Sequence, residues 1–181
     1  MRIVAGAWRG RALVAPKGGI TRPTSERLRQ ALFDMIWHAP WGGRAAIEGV
    51  AVLDAFAGTG ALGLEALSRG AGRATFMERD RAALAALRAN VVACGAVATV
   101  LAADATRPPR GEACAVVFLD PPYGQELVPR AVAALDAAGW IAPGALIIAE
   151  VGATDVLEPP SHPVATRGHG AGRIIVWRHD P

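Results

Sequence analysis

The chain has few cysteines and no long uncharged apolar run. Its two cysteines, Cys94 and Cys114, belong to no CxxC or Cys/His pattern, which argues against a disulfide framework and against a zinc site. The longest uncharged run, residues 89–103, is shorter than the ~20 residues that a membrane span requires. Arg2 and Arg9 interrupt the amino terminus before an apolar stretch forms. We therefore expect buried reduced thiols in a soluble, cytoplasmic protein without a metal.

Composition and charge describe an ordinary folded domain with a basic start. The 181 residues are 52% hydrophobic and 19% charged, which excludes a wholly disordered chain and suffices for one core. Residues 1–30 contain seven basic side chains against Glu26 alone, whereas the remainder has a net charge of −3. A positive arm on a slightly negative body is typical of proteins that bind nucleic-acid phosphates at one end, although a solvated basic terminus has the same composition.

Short apolar runs alternate with helical patterns along the middle of the chain. Such alternation predicts an α/β fold with a mostly parallel sheet. The predicted strands lie at about 50–55, 73–78, 97–101, 114–119 and 145–151, and the predicted helices at 61–69, 80–92 and 125–138. Residues 164–166 and 173–177 flank a glycine-rich turn and predict a terminal antiparallel hairpin. Residues 1–23 allow a small strand pair or a mobile arm, and a helix capped by Thr24 or Ser25 follows through His38.

The first predicted strand runs into a glycine turn, Asp54-Ala-Phe-Ala-Gly58-Thr-Gly60-Ala-Leu-Gly63. Ligands of open parallel sheets bind at the carboxyl ends of the strands, and glycines at Gly58 and Gly60 leave room for a ligand over the turn. The pattern also fits GxGxxG, so it does not separate a nicotinamide cofactor from S-adenosylmethionine, and a plain tight turn has the same glycines.

Acidic residues follow the next two strands as well. Glu78 ends the second strand, where a carboxylate can accept hydrogen bonds from two ribose hydroxyls, and Asp104 follows the third, where it can accept from an adenine amine. Glu78 alone would also suit the start of a helix. Three acidic strand ends in succession, counting Asp54, favour a cofactor site.

Asp120-Pro121-Pro122-Tyr123 closes the fourth strand and contains the only tyrosine of the chain. A delocalised exocyclic amine is a poor nucleophile, and the Asp120 carboxylate and the Pro121 carbonyl can accept its two hydrogens and orient it. Tyr123 can stack on a base. Taken without the glycine turn, the two prolines would fit a simple strand end, and Tyr123 an ordinary half-buried aromatic, as well as they fit a site.

These runs resemble the class I S-adenosylmethionine-dependent methyltransferases of the [DN]-PP-[YFW] amino-methylating group. Within that group, the chain is similar to the bacterial 16S ribosomal RNA guanine-N2 methyltransferases of the RsmD type. The similarity runs nearly end to end and rests on residues 2–11, 22–27 with 32–33, 54–69, 78–80 and 120–123. It implies a Rossmann-like domain over 1–181: a mostly parallel seven-stranded sheet with a C-terminal antiparallel hairpin, a basic RNA-contacting extension (1–40) and a catalytic core (48–181).

The resemblance also implies roles for individual residues. S-adenosyl-L-methionine would contact Asp54, Phe56, Ala57, Gly58, Gly60, Glu78, Arg79, Asp104 and Ala105. The catalytic group would be Asp120, Pro121, Pro122 and Tyr123, and the RNA contacts would be Arg9, Arg11, Arg22, Thr24 and Arg27. The implied partner is 16S ribosomal RNA in the small subunit or in its assembly intermediate, bound by a monomer.

Three alternatives remain open from the residues. A DNA-adenine or protein-glutamine methyltransferase would share Asp120–Tyr123 but not the arginine-rich start. A nicotinamide dehydrogenase would share the glycine turn but would leave Asp120–Tyr123 without a role. A non-catalytic RNA-binding module would not require an intact cofactor turn.

Overall fold

The computed structural model describes residues 1–16, 26–170 and 172–180. In chain order the elements are α1 (Glu26–His38), a 3-10 turn (Arg44–Ala46), β1 (Ala51–Asp54), α2 (Ala61–Ser68), β2 (Arg73–Glu78), α3 (Arg81–Cys94), β3 (Ala98–Ala102), β4 (Cys114–Leu119), α4 (Leu127–Ala137), β5 (Ile141–Gly152), β6 (Ala165–His169) and β7 (Gly172–Arg178). The predicted helix cap at Thr24 or Ser25 lies outside the described residues.

All seven strands form one sheet in the order β3-β2-β1-β4-β5-β7-β6. The first five run parallel, and β7 pairs antiparallel with both β5 and β6. The mostly parallel seven-stranded sheet and its C-terminal antiparallel hairpin are confirmed. Parallel strands reached through crossover helices explain why helical patterns separate the apolar runs.

Several boundaries differ from the prediction, and two of the differences have local backbone reasons. Strand β5 begins at Ile141 rather than 145, because Cys114 pairs with Ile141 while Val116 pairs with Leu146, so β5 bulges around its Pro-Gly pair. Helix α4 begins at 127 rather than 125. Its preceding residue, Glu126, has φ +50°, a left-handed conformation that a helix cannot include.

Alternate side chains of each central strand enter two separate cores. Val52, Phe76 and Phe118 pack toward α1, α2 and α3, whereas the adjacent Leu53 and Val117 pack toward α4. Strands covered by helices on both faces are expected to be apolar throughout, as β1 and β4 are. No helix among the described residues has the length and apolar character to cross a bilayer.

Residues 1–13 form a small antiparallel strand pair, the N-terminal hairpin, which packs on the domain. Arg2 bridges to Ala12, and the Ile3 N–H donates to the Arg11 carbonyl at 2.9 Å. Gly6 has φ +80° and lies so close to α2 that a Cβ there would be 1.8 Å from the Ser68 carbonyl oxygen. The sequence allowed either a small strand pair or a mobile arm here, and the described residues of this segment form the strand pair.

The buried Glu65 of α2 attaches this hairpin. Its carboxylate accepts from the backbone N–H of Val4 at 2.8 Å and of Ala5 at 3.0 Å. It also lies 2.9 Å from the Arg69 guanidinium and 3.5 Å from that of Arg29. Both Glu65 and Arg29 have fully buried side chains, so these charges stabilise the fold only as a hydrogen-bonded set.

Candidate active site

The five parallel strands bring their carboxyl ends to one edge of the sheet. Asp54 and Glu78 are the last residues of β1 and β2, Asp104 comes two residues after β3, and Asp120 directly follows β4. Glu150 lies within β5, two residues before the strand ends at Gly152. Acidic side chains thus lie at or near the carboxyl ends of all five neighbouring strands, at the edge where open parallel sheets bind ligands.

The glycine turn between β1 and α2 uses its glycines for different reasons. A Cβ on Gly58 would meet no atom within 4 Å, so this glycine leaves open space beside the backbone N–H groups of the turn. A Cβ on Gly60 would lie 2.4 Å from Leu87, and one on Gly63 would lie 2.3 Å from Phe76. Gly58 leaves the space that the prediction assigned to a ligand, whereas Gly60 packs closely against α3 and Gly63 against β2.

Asp54 is a buried carboxylic acid at the base of this turn. It is 1% exposed, and its Oδ2 accepts from the Gly63 N–H at 3.0 Å. Burial raises its pKa from 3.8 to about 7; the Gly63 hydrogen bond opposes the increase and the negative charge of Glu78 adds to it. A positively charged ligand nearby would stabilise the ionised form.

Glu78 connects the glycine turn to the end of β2. Its Oε2 accepts from the Gly58 N–H at 2.8 Å, and its Oε1 accepts from the N–H groups of Arg79 and Asp80, each at 2.7 Å. A carboxylate has about four acceptor positions, so one remains beyond these three bonds. Because Glu78 holds Gly58 in place, it organises the turn as well as offering an acceptor.

Asp104 is engaged in a comparable local network. Its Oδ1 accepts from the backbone N–H of Thr106 at 2.9 Å and from the Thr106 hydroxyl at 2.8 Å, and its Oδ2 accepts from Arg79 at 2.9 Å. The Thr106 hydrogen bonds and Arg79 lower the pKa of Asp104. Arg79 thereby spans the ends of β2 and β3. The buried Ala105 follows directly, while Phe56 and Ala57 lie in the glycine turn.

Asp120 and Tyr123 lie at the neighbouring strand ends, beside β5. Asp120 lines a narrow cleft together with Leu32, Leu62, Leu119, Ile148, Glu150 and Ile174. Pro121 is buried and Pro122 is exposed. The Tyr123 hydroxyl donates to Glu150 Oε1 at 2.5 Å. The structure therefore brings the predicted catalytic run to the same sheet edge as the glycine turn.

The predicted RNA-contacting arginines differ in their surroundings. Arg9 and Arg27 are exposed, on the N-terminal hairpin and on α1. Arg11 donates to the Ala93 carbonyl near the end of α3, so its guanidinium also has a structural contact. Arg22 and Thr24 lie outside the described residues.

Two further residues lie at this edge of the sheet and were not predicted from the sequence. Asn90 of α3 is 1% exposed. Its side chain accepts from the Val14 N–H and donates to the Val14 carbonyl, and it also donates to the Thr59 carbonyl at 2.9 Å. Asn90 therefore joins the segment after the N-terminal hairpin to the glycine turn. Nothing in the local sequence marks this bridge. Glu150 ends the apolar run of β5 as Glu78 ends β2, and that shared signal could have found it.

The sheet order, the glycine turn after β1 and the Asp-Pro-Pro-Tyr run after β4 define a class I methyltransferase. Comparisons with known proteins agree. The family described as "Conserved hypothetical protein 95" matches residues 1–178. "Ribosomal RNA small subunit methyltransferase D" of Escherichia coli K12 is 41% identical over 153 residues, which are 83% of this chain and 74% of that protein. The chain belongs to this methyltransferase D family, as the resemblance predicted.

Solved structures place the whole chain in the same fold. The "putative methyltransferase yhhF" from Escherichia coli superposes with a TM-score of 0.84 at 33% identity, covering 99% of this chain and 98% of that one. A Thermus thermophilus "16S rRNA N2 G1207 methyltransferase" in complex with AdoMet and guanosine has a TM-score of 0.63 at 19% identity, covering 90% of this chain and 44% of that one. The second similarity shows the fold alone.

Proposed function

We propose that this methyltransferase moves the methyl group of S-adenosyl-L-methionine to the exocyclic N2 of a guanine in 16S ribosomal RNA. The observation that carries this proposal is the position of Asp120–Tyr123 at the sheet edge, beside the ordered glycine turn. The name of the 41% identical relative supports a small-subunit ribosomal RNA substrate. The AdoMet and guanosine in the Thermus thermophilus methyltransferase support the ligand pair for this fold.

The residues of the glycine turn fit a cationic nucleoside cofactor. Open space at Gly58 leaves room for a ligand over the turn, and Glu78 retains one acceptor position for a ribose hydroxyl. Asp54 has a pKa of about 7 without a cation and would be stabilised in its ionised form by an ammonium or sulfonium. Phe56, Ala57, Gly60, Arg79, Asp104 and Ala105 complete the proposed set. When bound, the cofactor supplies an electrophilic methyl group on a positive sulfur.

The chemistry of the protein is mainly positioning. The Asp120 carboxylate and the Pro121 carbonyl accept the two amine hydrogens, which orients the nitrogen lone pair toward the methyl group and increases its electron density. Tyr123 stacks on the base. As the N–C bond forms, the bond between the methyl group and sulfur would break and leave a neutral thioether; the methylated nitrogen would then be strongly acidic, and its proton would leave to Asp120 or to water. No metal takes part in this scheme.

The substrate must present an accessible base. A guanine paired in a helix hides its N2 amine, so an unpaired or flipped nucleotide in structured RNA is the target. Exposed Arg9 and Arg27, with Arg11, Arg22 and Thr24, would contact the surrounding phosphates. We expect a cytoplasmic monomer that acts on the small subunit or on its assembly intermediate.

The test is methyl transfer from labelled S-adenosyl-L-methionine to small ribosomal subunits that lack the modification, followed by identification of the labelled nucleoside. Label in N2-methylguanosine is the expected result, and Asp120→Ala should remove most of it while cofactor binding stays within a few-fold. DNA is added to the same assay, and RNA, DNA and protein are separated afterwards. Label in DNA adenine or protein glutamine would overturn the substrate but keep the enzyme class. No label, together with no cofactor binding by calorimetry, would favour a non-catalytic RNA-binding module.

A further inference from the structure

Two carboxylates, rather than one, line the cleft at the end of β4. Leu119 of β4 pairs in register with Ala149 of β5, so the next residues, Asp120 and Glu150, are also side by side. Leu119 and Ala149 belong to the core on the α4 side, and because side chains alternate along a strand, Asp120 and Glu150 face the opposite side. Both line the same cleft.

Glu150 is held in position by aromatic neighbours. Its side chain is 12% exposed, Oε1 accepts from the Tyr123 hydroxyl at 2.5 Å, and the same oxygen lies 3.4 Å from His169 Nε2. A Cβ on Gly172 would lie 2.6 Å from the Tyr123 hydroxyl and 3.1 Å from the His169 ring, so the glycine at the start of β7 leaves room for these two side chains. The carboxylate therefore has a defined orientation.

The second oxygen of the Glu150 carboxylate, Oε2, is available to a ligand. Oε2 of Glu150 accepts no hydrogen bond from residues 1–16, 26–170 or 172–180, and His169 Nε2 is buried without a hydrogen-bond partner among those residues. The Glu150 side chain is 12% exposed and lines the cleft, so this oxygen can accept a hydrogen bond from a molecule that enters the cleft. Beside Asp120, a hydrogen-bond donor of the substrate can fill this position.

Guanine carries a matching pair of donors. Its N1–H and its N2 amine are adjacent on the Watson–Crick edge, whereas adenine presents an N1 lone pair beside its amine. We infer that Glu150, positioned by Tyr123 and His169, accepts the N1–H of the target guanine while Asp120 accepts from its N2 amine. This inference rests on the proposed function and extends it to base selection. A base with a lone pair at N1 would face the carboxylate oxygen and be repelled.

A base without an N1–H would leave the Glu150 oxygen without a hydrogen-bond donor, and this determines how strongly the enzyme prefers guanine. Sites built to hydrogen-bond a substrate group discriminate strongly against an analogue that lacks it, by about 10⁴-fold in favourable cases. Because Glu150 is partly open to the cleft, water can partly replace a missing donor. We therefore expect kcat/KM to be only about 100-fold higher for a base with an N1–H than for a base with a lone pair at N1. Glutamine at position 150 retains the size of the side chain and adds an N–H donor, which suits an N1 lone pair.

The experiment compares two bases at the modified position. Small subunits are reconstituted with 16S RNA that carries guanine or 2-aminopurine there; 2-aminopurine retains the C2 amine and replaces N1–H by a lone pair. We expect the wild-type ratio of kcat/KM for guanine over 2-aminopurine to fall at least tenfold in Glu150→Gln. Tyr123→Phe, which retains the ring but not the hydroxyl, should give a smaller decrease.

The controls distinguish a failure of the proposed methyl transfer from a failure of the role given to Glu150. Glu112→Gln changes an exposed glutamate that pairs with Arg73 at the opposite edge of the sheet and should retain the wild-type ratio. Cofactor binding by calorimetry checks that each variant is folded. If the wild type transfers no methyl to guanine subunits, the proposed function is wrong. If the wild type does so and Glu150→Gln has an unchanged ratio, only the role of Glu150 is overturned.

Discussion

Asp54 provides a test of the cofactor turn that requires no RNA. The carboxyl group is 1% exposed and receives one hydrogen bond, from the Gly63 N–H. Burial raises its pKa from 3.8 to about 7. Asp54→Asn preserves the size of the side chain and an oxygen that can accept from Gly63, and it removes the ionisable proton. The comparison therefore isolates the cost of the buried charge.

The sign and size of the effect follow from proton linkage. Because folding raises this pKa, the folded state binds the Asp54 proton more tightly than the unfolded chain does. The corresponding stability is fully present below about pH 4 and is lost as the pH rises through about 7. The difference between 3.8 and about 7 corresponds to about 4 kcal/mol. In the apoprotein, Asp54→Asn should thus become progressively more stable relative to wild type between these pH values.

The assay is urea or thermal unfolding of wild type and Asp54→Asn from pH 4 to pH 8.5, with Asp180→Asn as an exposed control. We expect the difference in Tm between Asp54→Asn and wild type to increase by roughly 10 °C over this range and then to level off. The exposed control should follow wild type. A difference that stays constant with pH would refute the buried-acid argument, whatever the absolute stability of the variant.

Three further predictions concern the N-terminal part of the chain. Glu65→Ala should cost about 3 kcal/mol in urea unfolding, because the buried Arg29 loses its carboxylate partner; a loss below about 1 kcal/mol would contradict this. Asn90→Ala should weaken cofactor binding by about tenfold in calorimetry, since Asn90 holds the Thr59 carbonyl of the glycine turn, and unchanged affinity would oppose the link. Alanine at both Arg9 and Arg27 should weaken 16S RNA binding with a shallower salt dependence than in the matched double variant with alanine at the exposed Arg107 and Arg110, and an unchanged slope would exclude both Arg9 and Arg27 as phosphate contacts.

The amino-acid sequence alone predicted the α/β architecture and most of the residues at the carboxyl edge of the sheet. Short apolar strands and helical patterns are local signals, and parallel strands joined by crossovers have few arrangements available. Once the strands are parallel, residues that end them must meet at one edge. The sequence alone therefore predicts that Asp54, Glu78 and Asp120 lie near one another.

Tertiary structure decided what these residues contact. Glu65 meets the backbone of Val4 and Ala5, Asn90 meets Val14, and Tyr123 meets Glu150, across separations of 27 to 76 residues. Local periodicity carries no information about partners so far apart in the chain. The bulge in β5 likewise arises from its register against β4.

The sequence thus determined the succession of strands and helices along the chain and the chemistry available at the sheet edge, because both follow from local pattern and chain connectivity. Only the folded chain decided that Glu150 lies beside Asp120 and that the N-terminal hairpin attaches through Glu65. Those placements depend on how strands register and how helices pack, and the free energy of such long-range contacts exists only when the whole domain is assembled.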